Sequence, residues 1–235
     1  MQKNNKQLRI AGIKQLLVTS ILLSVQMALF FLSAGHVTAT LAWLFFFASF
    51  LHNAASTAVQ YKFNAELLVQ RLKVKRKGSK LWDEILMRVT NLTALVLMPV
   101  IAGLDYGRFL RSSLGIHFTV AGLFLFIASS VLINWAMLAN PYFEQTVRVQ
   151  KDRGHRVISG GPYRIVRHPG YLGGILYALS FPLIIGSIYT FIPAGIYVLL
   201  MVTRTLLEDR TLQRELCGYK EYAEKVRYRL LPWLW

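Results

Sequence analysis

The run LGIHFTVAGLFLFIASSVLINWAMLA, residues 114–139, is apolar over a length that crosses a bilayer. About 20 residues of α-helix span the roughly 30 Å of hydrocarbon, and backbone polar groups in lipid must be satisfied within the segment, so the run reads as a transmembrane helix. Working outward, comparable runs fall at 13–34, 39–61, 85–104, 171–185 and 188–207. The fifth of the six, 171–185, is short and holds Pro182, which suggests a tilted or broken helix, or a tight hairpin with the sixth around Gly186 and Ser187. The expected fold is all-α, a polytopic transmembrane helical bundle of about six spans. Two portions are expected: 1–80, a helix pair with a basic loop, and 81–235, a membrane core with the site-bearing C-terminal region.

Composition supports that class. The chain is 54% hydrophobic and 16% charged, with a mean hydropathy of +0.42, a combination foreign to ordinary soluble domains. The formal net charge of +16 raises the question of nucleic acid. The basic residues, however, gather between apolar runs, which is the pattern of membrane topology and argues against nucleic-acid binding. They lie in the N-terminus (Lys3, Lys6, Arg9, Lys14), the Lys62 to Lys80 loop with its QRLKVKRKGSK, the Arg148 to Arg167 loop and the C-terminal tail, whereas the loop after the third span has only Arg108 and Arg111. An even number of spans then puts both termini in the cytosol, and the basic 62–80 loop against anionic headgroups. The first span follows basic residues as a signal peptide does, but its apolar run is long and the sequence near Gly35 is a poor cleavage site, so it reads as an anchor.

Two clusters share the cytosolic side. GGPYRIVRHPGYLGG (160–174) sets His168, Tyr163, Tyr171, Arg164 and Arg167 at the entry to the fifth span. Pro169 suits the first turn of a helix, which puts His168 near the N-cap, beside free backbone donors that favour a polar or anionic ligand. RTLLEDRTLQRELCGYKEY (204–222) sets Arg204 and Glu208 four residues apart at the end of the sixth span. As an i, i+4 pair they can form an ion pair with each other, while ionisable groups inside a span raise a functional reading; Asp209 and Arg210 then point elsewhere. Arg164 and Arg167 read as headgroup anchors when taken alone. Downstream, Leu212, Leu216, Tyr219, Ala223 and Val226 repeat at helical spacing. They describe an amphipathic cytosolic helix interrupted near Gly218, lying on the membrane or over the site, with Trp233 and Trp235 as interfacial anchors. Cys217 stands alone, and His155, His168 and Cys217 lack a metal-ligand spacing, so no metal is expected. There is no Walker loop, G-x-S-x-G elbow or Rossmann fingerprint.

RHPGYLGG followed by RTLLEDRTLQRELCGYKEYAEKVRYRLLPW resembles the C-terminal half of the isoprenylcysteine carboxyl methyltransferase and phospholipid methyltransferase superfamily, over about residues 140–235. The resemblance implies S-adenosylmethionine as methyl donor at the cytosolic face and a lipidic acceptor from the bilayer. It implies His168, Tyr171 and Glu208 as cofactor contacts, joined by Tyr163 and Arg167, with Gly173 allowing close approach. Arg204 is implied at the reacting end, so that Arg204 and Glu208 form the catalytic pair. The chemistry agrees with the resemblance. Methyl transfer needs in-line positioning and exclusion of water, a sulfonium sits well on an aromatic face such as Tyr171, and Arg204 suits a bidentate grip on an acceptor carboxylate. The family commonly has two acidic residues where this chain has Glu208 and Asp209. The same C-terminal string also resembles the sterol reductases, which hold NADPH, although they usually carry an acidic residue where this chain has Gly174. A non-catalytic lipid-binding protein, whose charges only set topology, is the third alternative.

Overall fold

In a computed structural model, described here for residues 2–72, 78–109, 112 and 114–235 with side chains from residue 7 onward, the chain is a polytopic helical bundle. Residues 73–77 of the basic loop, the side chains of Lys3 and Lys6, and Arg111 lie outside the described residues. The bundle comprises α1 (Gln2–Ala34), α2 (Thr40–Phe63), a short α3 (Ala65–Arg71) and a third span that begins as α4 (Leu81–Leu92) and continues through α5 (Met98–Gly103). It then comprises α6 (Ile116–Ala139), α7 (Pro169–Ile185), α8 (Phe191–Glu215) and the short α9 (Tyr219–Lys225). Among the described residues, five helices are long and apolar enough to cross a membrane, and α7 is the shorter sixth. The chain is a multi-pass integral membrane protein.

The third span runs unbroken over Leu81–Phe109, wider than the apolar run 85–104 that marks it in the sequence. It contains two π-helical segments, Thr93–Leu97 and Leu104–Phe109. A π-helical turn frees backbone groups from the regular ladder, and in the first segment the carbonyl of Ala94 accepts a hydrogen bond from Gln26 Nε2 on α1 at 3.0 Å. Pro182 does not break α7. The helix continues to Ile185 and ends at Gly186, whose φ of +83° a side chain would strain, and a tight turn leads into α8. The hairpin anticipated at Gly186 and Ser187 is therefore present.

Close packing without a hydrophobic driving force between helices depends on small residues and polar contacts. α6 and α7 meet most intimately. A Cβ on Gly122 would lie 2.9 Å from the backbone nitrogen of Ile184, and Ser129 Oγ donates to the carbonyl of Gly173 at 2.7 Å. On the other side, Gly107 backs onto the last residue of α1, Ala34. Side chains across residue 80 share one core: Phe30, Phe45 and Phe46 pack with Phe126, Phe181 and Ile184. The aromatic contacts inside it are mostly edge-on, with Phe45 and Phe181 ring centroids 4.7 Å apart. Ser56 Oγ donates to Asn134 Oδ1 at 2.7 Å, tying α2 to α6.

A larger side chain at Gly122 must push α6 off α7, at a cost of roughly 1–3 kcal/mol. Gly122→Leu is expected to lower the thermal midpoint in detergent. Gly195→Ala, at a position in α8 where a Cβ meets nothing within 4 Å, is expected to leave that midpoint unchanged or raise it.

Candidate active site

The loop between α6 and α7 is built on charges. Arg148 donates from Nε to Glu144 at 2.9 Å and from Nη1 to Asp152 at 2.8 Å, and Arg153 Nη1 reaches the side-chain oxygen of Gln150 at 2.6 Å. The bonds to Glu144 hold the Arg148 proton more tightly than usual. Inside this knot, His155 Nδ1 accepts the backbone N–H of Gln150 at 3.2 Å. Burial, with Arg148 and Arg153 nearby, pushes the His155 imidazole down to about 4. The loop leads to Gly161–Arg164, a single 3₁₀ turn, and then to His168, which is the N-cap of α7 with Pro169 in the first turn.

A cavity of about 350 Å3 lies between this loop, α4, α7, α8 and α9, in the size range of small-molecule sites. Of the residues singled out in the sequence, Tyr163, Arg167, His168, Tyr171, Arg204 and Glu208 line it. Tyr171 is the central piece. Its hydroxyl donates to Glu208 Oε2, its ring stacks on His168 with centroids 5.7 Å apart and planes within 6°, and the Arg204 guanidinium lies 5.0 Å from its ring centre. Arg204 thus already takes a place against the aromatic ring that was anticipated for a sulfonium.

Arg204 and Glu208 do not pair with each other. Arg204 instead forks onto Asp83 of α4, Nε to Oδ1 at 2.7 Å and Nη2 to Oδ2 at 3.3 Å, and also donates to the carbonyl of Gln145 at 2.6 Å. Asp83 is fully buried and accepts the backbone N–H of Val147 as well, at 2.7 Å. The bidentate grip anticipated for an acceptor carboxylate is therefore filled by Asp83. Glu208, by contrast, has no ion pair among the described residues, while Glu144, the other carboxylate on the cavity wall, is paired with Arg148.

Asp209 points elsewhere than Glu208, as expected, and does not line the cavity, but what it meets was not anticipated. It is buried, and it gathers Arg167 (2.8 and 3.0 Å), Arg229 (3.0 Å), His168 Nε2 (3.3 Å), the Tyr219 hydroxyl (3.0 Å) and Gln213 (2.9 Å). Burial, followed by the neighbouring Asp209 charge, pushes the Tyr219 phenol up, so that it stays a donor. Arg167 is accordingly no headgroup anchor. It is buried, and its Nη1 donates to the carbonyls of Ala223, Val226 and Arg227 at the end of α9. Those bonds also occupy most of the donors expected to meet a cofactor. Arg164 is exposed, as an anchor should be. Gly173 lies off the cavity: a Cβ there would sit 2.5 Å from Ile133 on α6, so its smallness serves helix packing.

The interruption at Gly218 is present, with φ +79°. Leu216, Tyr219 and Tyr222 on its two sides are buried and line the cavity, and the Tyr222 hydroxyl donates to the carbonyl of Tyr163 at 2.7 Å. The C-terminal segment therefore closes a wall of the site. Trp233 is exposed, whereas Trp235 turns back so that its carbonyl accepts from Arg229, Leu230 and Leu231. Asp83, Thr90 and Asp209 were not singled out in the sequence. The available signal for Asp83 and Asp209 was an acidic residue at the end of an apolar run, where an unpaired charge is costly. Thr90 carried none, and it is a buried residue on the cavity wall.

Residues 121–214 match the isoprenylcysteine carboxyl methyltransferase (ICMT) family. Over 108 residues, 45% of this chain, it is 26% identical to a probable protein-S-isoprenylcysteine O-methyltransferase of Oryza sativa subsp. indica, covering 56% of that protein. The figures are the same for the subsp. japonica protein. Protein-S-isoprenylcysteine O-methyltransferase B of Arabidopsis thaliana is 22% identical over 108 residues, 45% of this chain and 55% of its own length. The chain thus spans about half the length of the curated relatives it matches. Within the match lie His168, Tyr171, Arg204, Glu208 and Asp209; Asp83, Thr90 and α9 lie outside it.

Removing the Asp209 charge leaves Arg167 and Arg229 without their counter-ion, a loss of roughly 3–5 kcal/mol for a broken buried pair. Asp209→Ala is expected to lower the thermal midpoint strongly and to expose the 223–229 segment to limited proteolysis. His155 supplies a pH test. Its folded-state value lies below the ordinary 6.5, so its contribution is complete above about 6.5 and declines as pH falls toward 4, because the unfolded chain then binds the extra proton. His155→Phe is expected to flatten the fall in thermal midpoint between pH 7 and pH 5.

Proposed function

We propose that the chain is an S-adenosylmethionine-dependent methyltransferase, like the isoprenylcysteine carboxyl type, acting on a lipidic acceptor at the cytosolic face with both termini in the cytosol. The observation that carries this reading is Glu208: a carboxylate on the cavity wall, oriented by the Tyr171 hydroxyl, with no cation of its own among the described residues. Such a wall favours a ligand bearing positive charge, and the matched family and relatives support the methyl donor as that ligand.

The residues present suit this cofactor. Glu208 accepts hydrogen bonds from its ammonium or ribose hydroxyls, and the stacked rings of His168 and Tyr171 make the adjoining wall. Tyr163, held by Asn140 Nδ2 at 3.1 Å, and the C-terminal tyrosines keep water out. S-adenosylmethionine supplies an electrophilic methyl group on a sulfonium, so no covalent nucleophile is required of the protein. An acceptor carboxylate is already ionised and needs no base. Arg204, fixed by Asp83, borders the cavity beside Tyr171 and holds α8 in register with α4.

Gly174 bears on the NADPH alternative. A Cβ at this position would lie 3.1 Å from the Tyr197 hydroxyl, so the acidic side chain usual there in sterol reductases would require that hydroxyl to move by a few tenths of an ångström.

Hydrogen bonds to a charged group are worth roughly 1.5–3 kcal/mol, or about ten- to a hundredfold in affinity. Glu208→Gln is expected to weaken S-adenosylhomocysteine binding by that factor in calorimetry on the purified protein, and His168→Ala to weaken it less. Arg164→Ala, on the exposed side, is expected to bind as the parent does. Unchanged binding in the first two variants would sink the assignment, and thermal stabilisation by NADPH alone would favour the reductase reading.

A further inference from the structure

Residues 228–235 follow α9 without forming a further helix, and they lie deeper than a segment after the final span is expected to lie. Leu230 is buried in a cluster with Ile175 of α7 and Met201 of α8, and Leu172, Leu179, Val198 and Val202 of the same two spans pack there together with Trp235. Ile175 is seven residues beyond the N-cap His168, and Met201 is seven before Glu208. Seven residues are two turns, about 10 Å along either helix. The segment therefore reaches from the level of His168 and Glu208 into the apolar part of both spans.

Backbone that enters hydrocarbon without a helix must have its polar groups satisfied within the protein, and this segment meets that demand. The N–H groups of Arg229, Leu230 and Leu231 donate to the Trp235 carbonyl at 2.9, 3.1 and 3.2 Å. Those of Leu234 and Trp235 donate to the Leu231 carbonyl at 3.3 and 3.1 Å, and Pro232 has none to place. The carbonyls of Tyr228 and Arg229 accept from the backbone of Arg167 and His168. Arg229, the one charged side chain of the segment, is held by Asp209 and lies 5.2 Å from the centre of the Trp235 ring. What the knot turns outward is apolar: Leu231, Trp233, which is 88% exposed, and Leu234, which is 77% exposed. Trp233 does so at φ +62°, a conformation costly for any residue but glycine and shared by no other non-glycine among the described residues. Next to it, Ile196 and Leu199 of α8 are exposed in the same way, as residues facing lipid are.

We infer that 228–235 is a lipid-seated knot, with Leu231, Trp233 and Leu234 among the acyl chains of the leaflet at the His168 end of α7. Its seat is transmitted to the cavity. Arg229 carries it to Asp209 and to the N-cap of α7, and Leu230 carries it to Met201 on the cavity wall. The lipid seat stands on packing and backbone alone, whereas its effect on the cavity, measured as cofactor binding, rests on the methyltransferase reading above. Trp235, expected as an interfacial anchor, packs inward on Leu230 instead.

The whole chain in phosphatidylcholine nanodiscs tests both parts. A phosphatidylcholine carrying a diazirine in its acyl chain is expected to label the parent protein on the tryptic peptide 230–235 as well as on the spans. Labelling of the spans alone overturns the lipid seat, and this measurement needs no variant. Leu234→Asp then tests the transmission, because a carboxylate is harmless at a water-facing position and costly in hydrocarbon. It is expected to weaken S-adenosylhomocysteine binding about tenfold, while Leu234→Met binds as the parent does. Unchanged binding in folded Leu234→Asp overturns the transmission. Where that variant fails to fold, Trp233→Gly serves, since it eases the backbone and removes the indole: weaker binding is expected, and binding equal to the parent's or tighter overturns the transmission. A parent protein that binds no S-adenosylhomocysteine overturns the methyltransferase reading and the transmission with it, and the label still decides the lipid seat.

Discussion

The carboxylate of Asp209 is the contact on which the site-bearing end of the bundle depends. One buried charge near the end of α8 collects two arginines, a histidine, a tyrosine and a glutamine. Its partners come from the entry of α7, from α9 and from the C-terminal tail. A buried charge is tolerable only with such complete pairing, and the pairing has a geometric consequence. Arg167, gripped by Asp209, bonds the carbonyls at the end of α9, and the backbone N–H groups of Arg167 and His168 donate to Tyr228 and Arg229 at 2.9 Å each. The segment that closes the cavity is thereby fastened to the N-cap of α7, and the position of His168 beside Tyr171 follows from it.

Asp83 does the same work on the opposite wall. Its two oxygens face Arg204 on α8 and the N–H of Val147 in the loop, so a single side chain sets α4, α8 and the charged loop relative to one another. Lys80 adds a more exposed tie, Nζ to Glu215 at 2.6 Å. Neither α4 nor α9 lies within residues 121–214, yet both wall the cavity. The region of family likeness thus supplies one face of the site, and the rest of the chain supplies what surrounds it.

The helical class and the six apolar helices were legible because lipid imposes length and apolarity on each span, and 114–139 states both without ambiguity. The gathering of His168, Tyr171 and Glu208 was legible too, because Pro169 marks a helix entry and the basic loops put both clusters on one side. Partners were not. Helical spacing made Arg204 and Glu208 look like a pair, and the spacing is real, but Asp83, 121 residues away in sequence, offers Arg204 a bidentate partner that the i+4 residue does not match. Likewise, periodicity placed Asp209 on a different helix face from Glu208 and left open what that face meets. It meets α7 and the tail, a tertiary fact that no local pattern contains. Gly173 shows the same limit: glycine announces close approach without saying to what, and here the neighbour is Ile133.

The distribution of charge separates scaffold from site. Asp83, Asp209 and the loop's Glu144 each have an arginine partner; the first two pairs join distant segments of chain, and the third folds the loop upon itself. Paired in this way, they are spent on structure and contribute little net field to the cavity. Glu208 lies next to Asp209 in sequence and on the neighbouring face of α8, and its hydrogen-bond partner among the described residues is the neutral hydroxyl of Tyr171. A carboxylate held by a neutral donor keeps its charge for whatever enters the cavity. The pair of adjacent acids therefore divides the two tasks that a membrane-surface site requires. Asp209 holds the walls together, and Glu208 faces the cavity. The 100° between successive residues of a helix is what lets one turn of α8 do both.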